Sequence, residues 1–226
     1  MSLWSRITDA IAALREGEGL TEVFARLRTP PERTVAFTIA VIALGAKMAK
    51  ADGQVTRNEV SAFREVFFIP PDEEASAARV FNLARQDIIG FESYARSIAA
   101  MFSPGAAVLE DLLEGLFFIA NADGEYHPAE DTFIREVAAV FGIGEARFRN
   151  LRTMYAPHAE PDCYGVLGVS FDTPYDEIRA AWRQAVRDNH PDRMIARGVP
   201  EEAVALATRK LALINRAWEK ISAERG

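Results

Sequence analysis

Asp188-Asn189-His190-Pro191-Asp192-Arg193 is the stretch on which the reading of the C-terminal third depends. Pro191 lacks an amide hydrogen and its ring disfavours the helical region for the residue before it, so the amphipathic run that precedes it ends around Asn189. An imidazole and a carboxylate are thereby left on an exposed bend. On composition alone, roughly one chain in a hundred of this size holds His-Pro-Asp by chance. By itself the triplet is therefore a helix stop with a histidine near the negative end of the helix dipole. Its surroundings decide whether it is more.

The chain has 226 residues, 49% hydrophobic and 26% charged, which is ordinary for a soluble globular protein. A formal net charge of −7 argues against nucleic-acid binding through overall charge. The single cysteine, Cys163, excludes an intrachain disulfide, and three scattered histidines give no zinc cluster. There is neither a phosphate-binding glycine loop nor a GxSxG elbow, and no nucleophile stands beside a base, so an enzyme is not expected. No signal peptide is read at the start. The most apolar run, Val35 to Ala46, is about half the length that spans a bilayer and reads as a buried core helix. The expected location is the cytoplasm, or the cytoplasmic face of the inner membrane.

Residues 1–29 form an N-terminal amphipathic segment in which Leu3, Trp4, Ile7, Ile11 and Leu14 recur at helical spacing, with Arg6 and Asp9 facing away. Docking on the chain's own core is the expectation. Peripheral membrane contact through residues 1–16 is the alternative. Beyond Arg33 there is an internal repeat. Ala51-Asp52-Gly53-Gln54-Val55 recurs as Ala122-Asp123-Gly124-Glu125-Tyr126, and at the same offset Glu59 matches Glu130 and Arg64-Glu65-Val66 matches Arg135-Glu136-Val137. Each copy is an apolar helix, a turn whose glycine takes the left-handed conformation, and an amphipathic helix. Thr56 and Glu59 make a capping box, while in the second copy Pro128 takes the first helical position and Glu130 the third. The fold class expected is all-α.

At these residues the region 30–156 resembles the TerB-like domain, a helical fold linked to tellurite resistance and membrane stress. That resemblance implies a divalent metal held by acidic residues near the paired turns, with Asp52, Glu59, Asp123 and Glu130 as candidates and Glu125 nearby. The spacing differs from that of an EF-hand, and capping alone accounts for Glu59 and Glu130. Structural turn chemistry is the preferred reading, with no cofactor required. Residues 157–161, which begin and end with Pro157 and Pro161, read as a short stiff linker.

From Asp162 the pattern changes. Asp162-Cys163-Tyr164-Gly165-Val166-Leu167-Gly168-Val169 reads as a short helical turn, after which Thr173 is expected to cap a helix with Pro174 first and Asp176 third. On that helix Ile178, Ala181, Trp182 and Ala185 form one side, and Arg179, Arg183 and Arg187 recur every four residues on another. Pro200 is expected to open a third helix carrying Ala207, Leu211, Ile214, Trp218 and Ile221. The two long helices then pack antiparallel around a shared apolar seam, joined by the His-Pro-Asp loop.

Residues 162–226 resemble the J domain of the DnaJ family of co-chaperones. The likeness rests on DxYxVLGV, EIRxAWR, HPD and INxAW taken together, with Trp182 where the family usually has Tyr and Gln184 where a basic residue is common. A TerB-like domain followed by a J domain is similar to the membrane-associated J proteins, although the N-terminal transmembrane helix of those proteins is missing here. The resemblance implies a co-chaperone that recruits a DnaK-type chaperone and stimulates its ATP hydrolysis, with the TerB-like domain setting location, client or stress specificity. His190, Pro191 and Asp192 are the implied trigger, and Arg179, Arg183 and Arg187 the implied docking charges. An alternative is a metal-responsive or envelope-stress sensor in which the J domain is only an output module.

Overall fold

The structure, a computed structural model, describes residues 5–9, 12, 32–51, 69, 71, 74, 75, 90–102, 106–121, 124, 126–155 and 162–225. Among these residues all regular structure is helical. The expectations placed on the first Asp-Gly turn, on the segment following it and on residues 157–161 lie outside the described residues.

Two apolar helices form the centre. α1 (Glu32–Ala51) is buried at every position from Val35 to Ala46, which fits a run that is apolar on all sides. Its one buried hydroxyl, on Thr38, donates to the Thr34 carbonyl at 3.0 Å and so carries no unmet hydrogen bond. Against α1 pack α2 (Phe91–Ala99), α3 (Ala107–Ala120) and α4 (Pro128–Val140). α5 (Glu145–Tyr155) lies on α3, where Phe117 meets Phe148 and stacks on Tyr155 with ring centres 6.0 Å apart. Near the chain start, Ile7 is fully buried within this core and Asp9 is exposed, as their places on the stripe predict.

The second turn of the repeat takes the expected form. The Asn121 side chain donates to the Phe117 carbonyl at 2.7 Å, closing α3, and Gly124 sits at φ +85, where a β-carbon is disfavoured. Pro128 then opens α4, and the main-chain N–H of His127 donates to Glu130 Oε2 at 2.9 Å. That is the reach-back half of a capping box.

The C-terminal segment comprises α6 (Cys163–Val166), α7 (Tyr175–Asp188), α8 (Pro191–Ala196), a 3-10 turn (Glu201–Ala203) and α9 (Val204–Arg225). α7 and α9 are antiparallel. Trp182 stacks on Trp218 with centroids 4.9 Å apart and planes 10° apart, Tyr175 meets the same Trp218, and the Trp182 indole donates to Asn215 Oδ1 at 3.1 Å. Ile178 and Ile221 close the seam at full burial.

Three details differ from the sequence expectation. α7 begins at Tyr175 with Pro174 as its N-cap, and the Thr173 hydroxyl turns back to accept from the Ser170 N–H at 3.2 Å instead of capping. The loop after His190 is itself partly helical, because Pro191 at a first helical position is already set for the helix and starts α8. On α9 the buried stripe is Leu206, Ala207, Lys210, Ile214, Ala217 and Ile221; Leu211 is only half buried, and the residue before it, a lysine, faces inward.

This segment shares one hydrophobic core with the helices before it. A β-carbon on Gly115 of α3 would lie 3.7 Å from Val41 of α1 and 3.8 Å from Leu206 of α9, so three helices converge there. Gly165 of α6 approaches Asn150 of α5 closely enough that a β-carbon would sit 3.3 Å from its side chain. Arg209 lies over the Phe118 ring, 4.0 Å from its centre. Among the described residues no helix is long and apolar enough to cross a membrane.

Candidate functional site

The His-Pro-Asp bend is built by two helix termini meeting. α7 ends at Asp188, and Asn189 closes it by donating its side-chain amide to the Ala185 carbonyl at 2.8 Å. His190 then turns extended (φ −64, ψ 139), which the following proline favours, and becomes the N-cap of α8. Its Nδ1 lies 3.3 Å from the Asp192 N–H, which donates to it. Asp192 Oδ2 stands 3.5 Å from the same Nδ1. The side chains of His190 and Asp192 are 56% and 86% exposed, so a partner would meet both without displacing core.

Arg179, Arg183 and Arg187 are exposed on α7, one helical turn apart, and lead up to the bend. Gln184 is more than a missing charge. Its Nε2 donates to Asp188 Oδ2 and its Oε1 accepts from Arg187, both at 2.7 Å, so the stripe is held in register at its loop end. His190, Pro191 and Asp192 thus share the bend, and Arg179, Arg183 and Arg187 share one exposed stripe of the helix that leads to it.

Of the acidic residues at the paired turns, only Glu130 is described. Asp52, Glu59, Asp123 and Glu125 lie outside the described residues. Glu130 is buried, with its carboxylate engaged by the His127 N–H, an arrangement that suits a cap rather than an open ligand. Among the described residues no group of three or more His, Cys, Asp or Glu is placed to hold a metal ion.

A constellation that sequence reasoning missed lies beneath the bend, where α3 faces the C-terminal segment. Asp111 and Glu114 project from α3 with their side chains 0% and 2% exposed. Arg197, at the C-cap of α8, grips Asp111 with both ends of its fork, Nε to Oδ2 at 2.6 Å and Nη2 to Oδ1 at 2.8 Å. Lys210 Nζ lies 2.7 Å from Glu114 Oε1 and 3.5 Å from Asp111 Oδ1, while the Tyr155 hydroxyl donates to Glu114 Oε2 at 2.9 Å. At the edge, Arg147 holds Glu110, with Nη2 to Oε2 at 2.7 Å.

Burial and charge pull these groups in opposite directions. Burial raises the Glu114 carboxyl above its ordinary value, Lys210 lowers it less, and Asp111 adds repulsion. Burial would also raise Glu110, but the hydrogen bonds and charge of Arg147, with Lys210 and Arg197 behind, hold it below the ordinary carboxylate range. Burial works against a charged Lys210, yet Glu114 and Asp111 overcome it and raise its pKa. The signal in the sequence was three acids, Glu110, Asp111 and Glu114, in the otherwise apolar run of α3, matched by a lysine at an inward position of α9.

Comparison with known proteins gives two kinds of match. The co-chaperone protein DjlA of Shewanella oneidensis is 24% identical, the alignment covering 84% of this chain and 78% of that protein. DjlA of Coxiella burnetii is 29% identical over 77% of this chain and 72% of its own length. DjlA of Salmonella paratyphi A is 22% identical with the whole of this chain and 99% of that protein covered. No solved structure is a significant match. The model of the family "Tellurite resistance protein TerB" matches residues 38–153, just over half of the chain, spanning α1 through most of α5. By that match, and by the helices and the glycine turn that realise it, the chain belongs to the TerB family.

Proposed function

We propose that this protein is a co-chaperone whose C-terminal segment is a J domain, recruiting a DnaK-type chaperone and stimulating its ATP hydrolysis. The observation that carries the reading is the exposed His190-Pro191-Asp192 bend at the end of a helix bearing Arg179, Arg183 and Arg187. Its support from comparison is the similarity to DjlA co-chaperones along most of the chain. A guanidinium stripe fits an acidic partner face, since planar forks pair with carboxylates and keep their charge at any physiological pH. The stripe orients the partner and runs down α7 to the bend, from Arg179 about three helical turns away to Arg187 within about one, so that the bend is presented to the partner. The ATPase chemistry belongs to that partner.

The TerB-like region supplies location or client choice in this reading, in the cytoplasm or at the cytoplasmic face of the inner membrane. Single-turnover hydrolysis by a DnaK-type chaperone, measured with and without the full chain, tests the proposal. Acceleration that depends on His190 supports it, and an unchanged rate at saturating protein overturns it.

A further inference from the structure

We infer that Arg197 is a positioning residue through which the TerB-like region sets the geometry of the His-Pro-Asp loop. The inference rests on the co-chaperone reading for its functional meaning, and on one guanidinium for its physics. Nε and Nη2 of Arg197 bind the two oxygens of Asp111, and Nη1 donates to the main-chain carbonyl of Asp188 at 2.7 Å. Asp188 is the last residue of α7, two before His190, and Arg197 follows the last residue of α8. One side chain therefore ties together both ends of the segment that contains the bend, and fastens them to α3, 86 residues earlier in the chain.

The Asp188 carbonyl is one of the terminal acceptors that a helix leaves unmatched, so it has no intrahelical partner to lose to Arg197. Asp111 is wholly buried, which gives the fork a fixed anchor with none of the freedom of a surface carboxylate. Within the bend, the main-chain N–H groups of Arg193 and Met194 donate to the His190 carbonyl at 2.9 and 3.0 Å, while the side-chain contacts are longer, Asp192 N–H to His190 Nδ1 at 3.3 Å and Arg193 to Asp188 at 3.5 Å. Those bonds shape the turn itself, and the buried fork is what fastens its base to α3. A lysine in the same place keeps the charge but offers a single nitrogen, unable to span two carboxylate oxygens and a carbonyl together.

The test uses the full chain with Arg197→Lys and Asp111→Asn, each checked for helicity and melting, with Glu110→Gln as a control that removes a neighbouring ion pair away from the bend. Stimulation of a DnaK-type chaperone is titrated to saturation, and amide hydrogen exchange is followed over residues 189–194 and 214–221. The expected result is a plateau lowered by about tenfold in both variants, within the range that a small misplacement of reacting groups causes. The half-saturating concentration should change by less than about twofold, because the three docking arginines are untouched. Exchange should quicken at 189–194 and stay unchanged at 214–221, with the control behaving as wild type.

A full plateau in a folded Arg197→Lys protein overturns the inference. So does a plateau that falls equally in the Glu110→Gln control, since general loosening then suffices. Arg197→Lys keeps the buried charge paired and decides the matter if Asp111→Asn fails to fold. If wild type never stimulates, the co-chaperone reading falls, and hydrogen exchange alone judges the brace: unchanged protection at 189–194 in Arg197→Lys overturns it.

Discussion

Nζ of Lys210 stands 2.7 Å from Oε1 of Glu114, with the two side chains only 7% and 2% exposed. The lysine comes from α9 and the glutamate from α3, so this ion pair is where the C-terminal segment meets the TerB-like region. Bringing both groups out of water is costly, and their attraction offsets that cost only while both are present.

Lys210→Met should therefore destabilise the protein by about 3–5 kcal/mol, the usual consequence of leaving a buried charge without its partner. The double variant Lys210→Met with Glu114→Leu should be less damaged than the single one, because Asp111 still keeps Arg197. Urea unfolding midpoints at equal slope give the comparison. A double variant weaker than Lys210→Met would show that the pair contributes more than charge balance.

Glu110 gives the pH dependence a sign. Its pKa in the folded protein lies below the ordinary carboxylate value of about 4.3, so its pairing with Arg147 contributes stability that is fully present above that pH. The contribution is lost as pH falls through the lower folded value. Glu114 works the other way, because its raised pKa gives a contribution present below the ordinary value and lost as pH rises. Subtracting Glu110→Gln from wild type isolates the first effect. The difference in melting temperature should shrink steadily from about pH 6 to about pH 3. A difference that stays constant across this range would mean that the pair is not what Arg147 stabilises.

The contrast between these residues and the bend explains what the sequence makes legible. The apolar run marked α1 and apolar periodicity marked α7 and α9, and Pro128 marked the start of α4 by its chemistry; Pro191 was read only as the stop of α7, and the short helix that it opens was not expected. The six residues of the bend and the arginine stripe could be singled out because they are local in sequence. The Asp111, Glu114, Arg197 and Lys210 cluster was not, because its members lie far apart and meet only through the docking of α9 on α3. Thr173 was misread for a related reason: a hydroxyl before a proline looks like a cap until its other neighbour, Ser170, is in place.

The paired turns invite a metal prediction. Glu130 already accepts the His127 N–H and is withdrawn from solvent, which leaves its carboxylate poorly available to a cation. Calorimetric titration of the full chain with calcium, magnesium and zinc should show no binding in the micromolar range. Micromolar affinity that disappears in Asp52→Ala with Asp123→Ala would reverse the preference for structural turns and favour a metal-responsive sensor.

His190→Gln and Arg183→Ala should fail in different ways. His190 lies outside the core, so its replacement costs within about half a kcal/mol of stability, but it removes the imidazole that the bend presents. Stimulation of the DnaK-type ATPase should be abolished at every concentration. Arg183 is one exposed charge of three on α7, so Arg183→Ala should weaken association, most visibly at low salt where surface charges act over longer distances. Excess protein should then restore the Arg183→Ala rate and leave the His190→Gln rate at baseline. Equal rescue of both would place the two residues on the same docking step and remove the distinction between a trigger and a stripe.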